Sequence, residues 1–260
     1  VLRGPQGTLY GASSIGGLLK YVTVSPCLDG ISGKVGGEVF TIDHANDIGY
    51  AGQGIVNAAL VPGRLGISAS YAYRNSPGYI DNARTGAKDQ NDYSQQGARL
   101  SLLWRPTDAL SVQLSAVWQK INSDNNARVI EDLVTRERIG DGLSNWNFVD
   151  EPFRKTMYYY AATIDYDMDF ATLTSATSYS RTKTSQLQDG SLIYGVAFPF
   201  LGVPGVTDPG LAPFTLDLDL KKWTQEVRLT SPSSGSFEWM IGGFFTYEKS
   251  GNQQLVRAFD

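Results

Sequence analysis

Oily and wet residues alternate along this chain with a period of two, stretch after stretch, and that period restricts most of it to β-strands with one apolar face. In residues 110–119, Leu110, Val112, Leu114, Ala116 and Trp118 share one face, and Ser111, Gln113, Ser115 and Gln119 the other. Comparable strands are expected from Leu65, Ile67, Ala69, Tyr71 and Tyr73; from Ala98, Leu100, Leu102 and Trp104; from Tyr158, Tyr160, Ala162, Ile164 and Tyr166; and from Phe237, Trp239, Ile241, Gly243, Phe245 and Tyr247. Their opposite faces carry Ser68, Ser70, Arg99, Ser101, Thr163, Asp165, Glu238 and Thr246.

A soluble β-sandwich would alternate too, so two further features matter. Several oily faces begin or end in an aromatic ring, as Tyr158 to Tyr166 and Phe237 to Tyr247 do. A tilted strand needs about nine to eleven residues to cross a bilayer's hydrocarbon, and aromatic rings favour its two interfaces. The connections also alternate between tight and long. Tight turns are expected at Val61-Pro62-Gly63-Arg64, Arg105-Pro106-Thr107-Asp108, Asp167-Met168-Asp169 and Ser231-Pro232-Ser233-Ser234-Gly235, and long polar loops over residues 75–92, 122–155 and 186–217. Outer-membrane barrels keep this asymmetry, with short periplasmic turns and long external loops.

Composition agrees with an all-β chain and removes several functions. Charged residues are only 18%, while Gly (28), Tyr (14) and Phe (11) are plentiful. A net charge of −4 and a pI near 5.1 argue against a nucleic-acid partner. The single cysteine, Cys27, allows no internal disulfide, and the lone histidine, His44, has no companion at metal-ligand spacing, so both read as residues of connecting segments. No apolar run approaches the ~20 residues of a membrane helix, which leaves strands as the way to cross a bilayer. The chain opens in mid-motif, so a signal peptide is expected upstream.

The charged loop over 122–155 reads as solvated, with room for a local helix. The Pro- and Gly-rich loop over residues 191–213 offers Tyr194, Phe198 and Phe200 as candidate ligand-facing aromatics. Residues 1–23 contain neither phosphate-cradle pattern, G-x-x-x-x-G-K-[ST] or G-x-G-x-x-G. The acidic run Asp165-Tyr166-Asp167-Met168-Asp169 lacks the Gly and closing Glu of a calcium loop, Phe170 and Ala176 standing in their places. Nothing sets Ser or Cys beside a base. No catalytic residue, resident cofactor or metal site is expected.

The most specific feature is the opening Val1-Leu2-Arg3-Gly4-Pro5-Gln6-Gly7-Thr8-Leu9-Tyr10-Gly11, followed by Gly16-Gly17-Leu18-Leu19-Lys20-Tyr21-Val22-Thr23. It resembles the end of the plug domain of TonB-dependent outer-membrane receptors, an L-R-G-P-x-x-x-L-Y-G element followed by G-G-x-[IL]-x-[IY]-V-T. Gln225-Glu226-Val227-Arg228-Leu229-Thr230-Ser231-Pro232 and Trp239-Met240-Ile241-Gly242-Gly243-Phe244-Phe245 resemble barrel strands of the same family. The resemblance implies a membrane-spanning antiparallel β-barrel of about 22 strands filled by an amino-terminal plug. Residues 1–25 would then be the end of the plug, and 26–260 the amino-terminal part of the barrel, about nine strands of it. The same resemblance implies residence in the outer membrane of a Gram-negative bacterium, in contact with its lipid. It implies binding of a scarce nutrient such as a ferric siderophore or another chelate, and import driven through TonB by a segment absent from this chain. In the family the arginine of the L-R-G-P element holds the plug against barrel carboxylates. Arg3 is therefore a candidate plug–barrel contact, with Glu226 and its neighbour Arg228 expected on the lumenal face. A passive porin would need no plug-like opening, and a soluble adhesion sandwich would share the strands alone.

Overall fold

The structure, a computed structural model, describes residues 2–3, 17–18, 23–132, 134–138, 140, 142–202, 210–232 and 237–257. Nine strands form one antiparallel sheet in which each pairs with its neighbours in sequence. We number them β1 (Ile31–Thr41), β2 (Ile48–Val61), β3 (Leu65–Ser76), β4 (Tyr93–Trp104), β5 (Leu110–Ser123), β6 (Phe153–Asp167), β7 (Thr172–Asp189), β8 (Pro213–Thr230) and β9 (Met240–Val256). The order is an uninterrupted meander, the topology of an up-and-down barrel wall. It has no second facing sheet among the described residues, so the sandwich reading fails.

Alternation fixes register, because a slip of one residue would turn every oily side chain to the wrong face. Leu102, Leu114 and Ala162 therefore lie in one row, as do Leu100, Ala116, Tyr160, Tyr179, Trp223 and Tyr247. The opposite face is polar, and along one of its rows Ser101 meets Ser115 Oγ–Oγ at 3.0 Å. That polar face is the inner one, since residues 23–30 lie across it: the Arg99 side chain reaches Thr23 and Val24, and the Gly66 backbone sits against Cys27.

On the outer face, the stretches between the aromatic rings contain no charge. These run over 110–118 on β5, 158–166 on β6, 173–179 on β7, 223–229 on β8 and 241–247 on β9. The polar exceptions satisfy one another: Thr177 donates to Gln225 Oε1, and Gln225 Nε2 donates to Ser175 Oγ at 3.0 Å. The aromatic boundary also shifts from strand to strand. Tyr73 on β3 stands in the row of Lys120, Trp118 on β5 and Tyr158 on β6 one outward position nearer the tight turns, and Tyr179, Trp223 and Tyr247 one further. Strands tilted against a horizontal boundary produce such a drift.

From β2 onward connections alternate as expected, short at 62–64, 105–109, 168–171 and 231–239, longer at 77–92, 124–152 and 190–212, whereas β1 and β2 are joined on the long-loop side by residues 42–47 alone. Gly63, at φ 71°, makes the reversal between β2 and β3. Two boundaries differ from the sequence reading. Strand β9 starts at Met240 rather than Phe237, because Ser231 and Trp239 close the turn through Ser231 N–H to Trp239 O (2.9 Å) and Trp239 N–H to Ser231 Oγ (2.8 Å). The long loops are shorter than alternation suggested, because the ladder continues past the aromatic boundary: Gln186 to Asp189 pair with Leu216 to Pro213, and Phe153 pairs with Ser123.

Candidate functional site

Two regions of the inner side carry side-chain chemistry: the strap of residues 23–30, and the mouth beneath the long loops. The strap is held from β2, β3 and β4. Asn57, 7% exposed, accepts the Cys27 N–H at Oδ1 (2.7 Å) and donates Nδ2–H to Ser25 O (3.2 Å). Arg99 donates from Nη1 to Val24 O (3.0 Å) and from Nη2 to Thr23 Oγ1 (2.8 Å). Gly66 is required: a Cβ there would come within 2.1 Å of Cys27 O. Backbone bonds from Ala59 N–H to Gly30 O (2.8 Å) and Gly63 N–H to Leu28 O (2.9 Å) complete the attachment. Under this cover Ser68, Ser101 and Leu103 are buried.

Glu226 and Arg228 lie on this same wall, as strand parity requires, and pair with each other, Nη1 to Oε1 at 3.1 Å. Both are about 40% exposed, so the pair contributes little stability. Of Arg3 only the backbone is described, in the short ladder Leu2↔Leu18 and Arg3↔Gly17, and its expected contact with Glu226 lies outside the described residues.

At the mouth, a concavity of about 570 Å³ is lined by Phe40, Arg74, Tyr79, Tyr93, Phe153 and Glu151, among others. Arg74 is fixed there by Glu38 (3.0 Å) and by the Phe40 ring, whose centroid is 4.1 Å from its guanidinium carbon. Glu151, 3% exposed, organises the loops above: it accepts from Arg128 Nη2 (3.1 Å), Asn147 Nδ2 (3.3 Å), the Asp189 N–H (2.7 Å) and Asn126, while its own N–H donates to Asn125 Oδ1 (2.6 Å). Asn91 does the same for 77–92, accepting the Tyr79 and Ile80 N–H groups at 2.7 Å each. Loop 77–92 meets loop 124–152 through the parallel pairs Asp81↔Ser144 and Asn82↔Asn145. Loop 124–152 forms no helix among its described residues; the expected room for one is taken by the Glu131↔Arg138 bridge. Beside that bridge the Thr135 and Val134 N–H groups hold the Asp132 carboxyl below the usual carboxylate range. Burial, reinforced by the Asp124 charge, pushes the Asp92 carboxyl up.

Tyr194, Phe198 and Phe200 sit on two short helical turns, Ser191–Gly195 and Val196–Phe200. Tyr194 and Phe198 stack with ring centroids 6.0 Å apart, and Phe200 is 86% exposed. The structure thus brings two of the three together and points the third to solvent. Sequence reasoning placed Arg99 on the polar face without its partner and passed over Asn57, Glu151 and the mouth aromatics Tyr93 and Phe153. A buried-position Asn or Glu inside a polar loop leaves no periodic signal, but Phe153 and Tyr93 fall at strand ends and on the wet parity, which was a readable anomaly.

No protein-family model matches the chain. Among solved structures it is similar to the ferric yersiniabactin uptake receptor FyuA from Yersinia pestis, with a TM-score of 0.76 and 18% identity over 98% of this chain and 36% of that one. A second similar structure is the ferric-catecholate import receptor Fiu from E. coli K12, at 11% identity over 98% of this chain and 51% of that one, with a TM-score of 0.38, too low to argue from. This chain therefore spans about a third of the length of FyuA. At such identity the likeness is one of fold, and the fold it shows is a partial antiparallel β-barrel wall of nine strands.

Proposed function

We propose that this chain is part of a TonB-dependent outer-membrane receptor that imports a ferric siderophore or a related nutrient chelate. On this reading residues 1–25 end its plug and 26–260 begin its barrel. The observation that carries the reading is the charge-free belt between aromatic rings on the outer face of a nine-stranded meander whose polar inner face is overlain by the segment that precedes the first strand. A membrane wall needs the first, and a plugged lumen supplies the second. The fold likeness to the ferric yersiniabactin uptake receptor FyuA and the plug-like opening at Leu2 to Thr23 support the same conclusion. A porin would lack that opening.

In this reading a chelate settles from outside into the mouth concavity, where flat ligand rings meet Phe40, Tyr79, Tyr93 and Phe153 and ligand carboxylates or phenolates meet Arg74. Tyr194, Phe198 and Phe200 are the loop aromatics placed to meet it first. Energy then arrives through TonB and an upstream segment pulling on the plug, and the Asn57–Arg99 attachment of residues 23–30 anchors the plug's carboxyl end to the wall while the rest moves. No catalytic group takes part.

Growth of a deletion strain on different iron sources tests this. Loss of growth on one ferric chelate, rescued by the full-length gene and by iron salts, is the expected result. Rescue by a gene lacking the upstream TonB-coupling segment would instead indicate passive diffusion. Tyr93→Ala with Phe153→Ala should weaken chelate binding while leaving the receptor folded.

A further inference from the structure

Between the mouth and the strap, the inner wall of β1 to β6 carries a surplus of positive charge. Register sets the cations in two rows. In the upper row Arg74 and Lys155 stand on either side of Gln95 and Ile121; two inward positions lower, Lys34 and Arg99 stand on either side of Ile55 and Ser70. Arg74 has Glu38 as its partner, but Lys34, Arg99 and Lys155 have no carboxylate within salt-bridge distance among the described residues. Glu38 is the one inward carboxylate of β1 to β6 in these rows. Residues 1–28 bring none, since they contain no Asp or Glu and their charged residues are Arg3 and Lys20. On β8 the inward cations are matched, Lys222 to Glu248 at 3.5 Å and Arg228 to Glu226 at 3.1 Å. The open charge is thus confined to one side of the wall.

The row between these cations has no charge and little bulk. Gly36, Ala72 and Gly97 leave space there, and Gln53 and Gln119 offer amides. The result is a concavity of about 1100 Å³ whose lining includes Lys34, Arg74 and Arg99. It shares Arg74 with the mouth concavity above. Three strand spacings separate the two cations of each row, about 14 Å, and four residues along a strand separate the rows, about 13 Å. A frame of that size admits a bulky chelate between its positive edges. Charge of one sign in a protein-walled cleft focuses its field on an incoming counter-ion.

We propose that this frame is a transit site through which an anionic chelate leaves the mouth for the periplasm, its carboxylates or phenolates passing from Arg74 and Lys155 to Lys34 and Arg99 as the plug withdraws. The inference rests on the receptor reading above. Because Arg74 lines both concavities, the step down from the mouth begins on a cation that the chelate already meets. Arg99 closes the frame below, and its acceptors there, Thr23 Oγ1 and Val24 O, are neutral, so its charge remains available to an anionic oxygen.

The test measures binding and import of radioiron chelates in a deletion strain carrying the full-length receptor. The probes are anionic ferric citrate and a ferric tris-catecholate, neutral ferrichrome and cationic ferrioxamine B. Binding is read in cells whose proton-motive force is collapsed, and import in energised cells. An anionic chelate should be the one imported. Lys34→Glu should lower its import on the order of tenfold with binding at the mouth unchanged, Lys34→Arg should retain both, and Thr182→Glu, which places the same charge on the inward face of β7, should change import less than about twofold. Unchanged import in Lys34→Glu, an equal loss in Thr182→Glu, or binding that falls together with import overturns the transit site. Import of ferrichrome or ferrioxamine B in preference to both anionic chelates overturns it too and leaves the receptor reading standing. Import of none of the four fails the receptor reading itself, and this inference with it.

Discussion

Asn57→Ala is the perturbation whose cost follows most directly from the geometry. Asn57 makes two bonds to the strap, to the Cys27 N–H and the Ser25 C=O. Ser25 is exposed, so its carbonyl finds water when the amide is removed. Cys27 is half-buried behind a side chain that is itself 7% exposed, and its N–H is left without an acceptor. An orphaned buried donor costs about 1–3 kcal/mol, so strap detachment should become roughly five- to 150-fold more frequent. Arg99→Ala also removes two strap bonds, but from Thr23 and Val24, which are exposed and rehydrate, and should cost about 1 kcal/mol or less. Amide hydrogen exchange of the full-length receptor in detergent reads the difference, because the Ala59 and Gly63 N–H groups are protected by strap carbonyls. In Asn57→Ala their exchange should accelerate by that factor while amides in mid-β5 stay slow. Unchanged protection at Ala59 and Gly63, or a loss that spreads through the sheet, would refute the assignment of Asn57 as a local clasp.

Three other predictions follow from register and topology. Leu114 lies four residues from both Trp118 and Leu110 on the outer face, so Leu114→Arg should cost about 2–4 kcal/mol of folding stability in lipid vesicles and Gln113→Arg much less; equal costs would contradict the register. Protease added to intact cells should cut within 77–92, 124–152 or 190–212, and epitope tags inserted at Pro62-Gly63 or Pro106-Thr107 should remain hidden, surface labelling of those turns inverting the topology. Arg3→Ala and Glu226→Ala in the full-length receptor should each loosen the plug, and the double change should exceed neither by much if the two side chains pair. Because Glu226 already has Arg228 at 3.1 Å, strictly additive effects would assign it to Arg228 and Arg3 to another carboxylate.

The wall was legible in the sequence because one physical constraint, a face in oil and a face in water, writes itself at every second residue. Leu114 and Gln113 could be sent to opposite faces from that alone, and Glu226 with Arg228 likewise. Chain reversals were legible where Pro and Gly mark them, as at Pro62-Gly63. What escaped lies where no period operates. Glu151 gathers partners from residues 126, 128, 147 and 189, a convergence set by how two loops fold over each other. The helical turns at Ser191–Gly195 and Val196–Phe200 were hidden by Gly195 and Pro199, which ordinarily mark irregular chain. Strand ends were set too early near Gln186 and Asp217 because the ladder there continues after the oily pattern has stopped, held by backbone bonds and by Arg181 with Asp219 rather than by lipid.

The central claim is that these strands cross a bilayer with the polar face inward, and a spin-label accessibility scan of residues 112–119 in the full-length receptor, reconstituted in lipid, tests it most directly. Collision with dissolved oxygen should peak at positions 112, 114, 116 and 118, and collision with a water-soluble nickel chelate at 113, 115, 117 and 119. Val117 is the discriminating position, since its apolar side chain would go to lipid on hydrophobicity alone, whereas its pairing with Arg99 and Tyr159 turns it inward. An oxygen signal at 117 as high as at 116 and 118, or a scan with no period of two, would contradict the account.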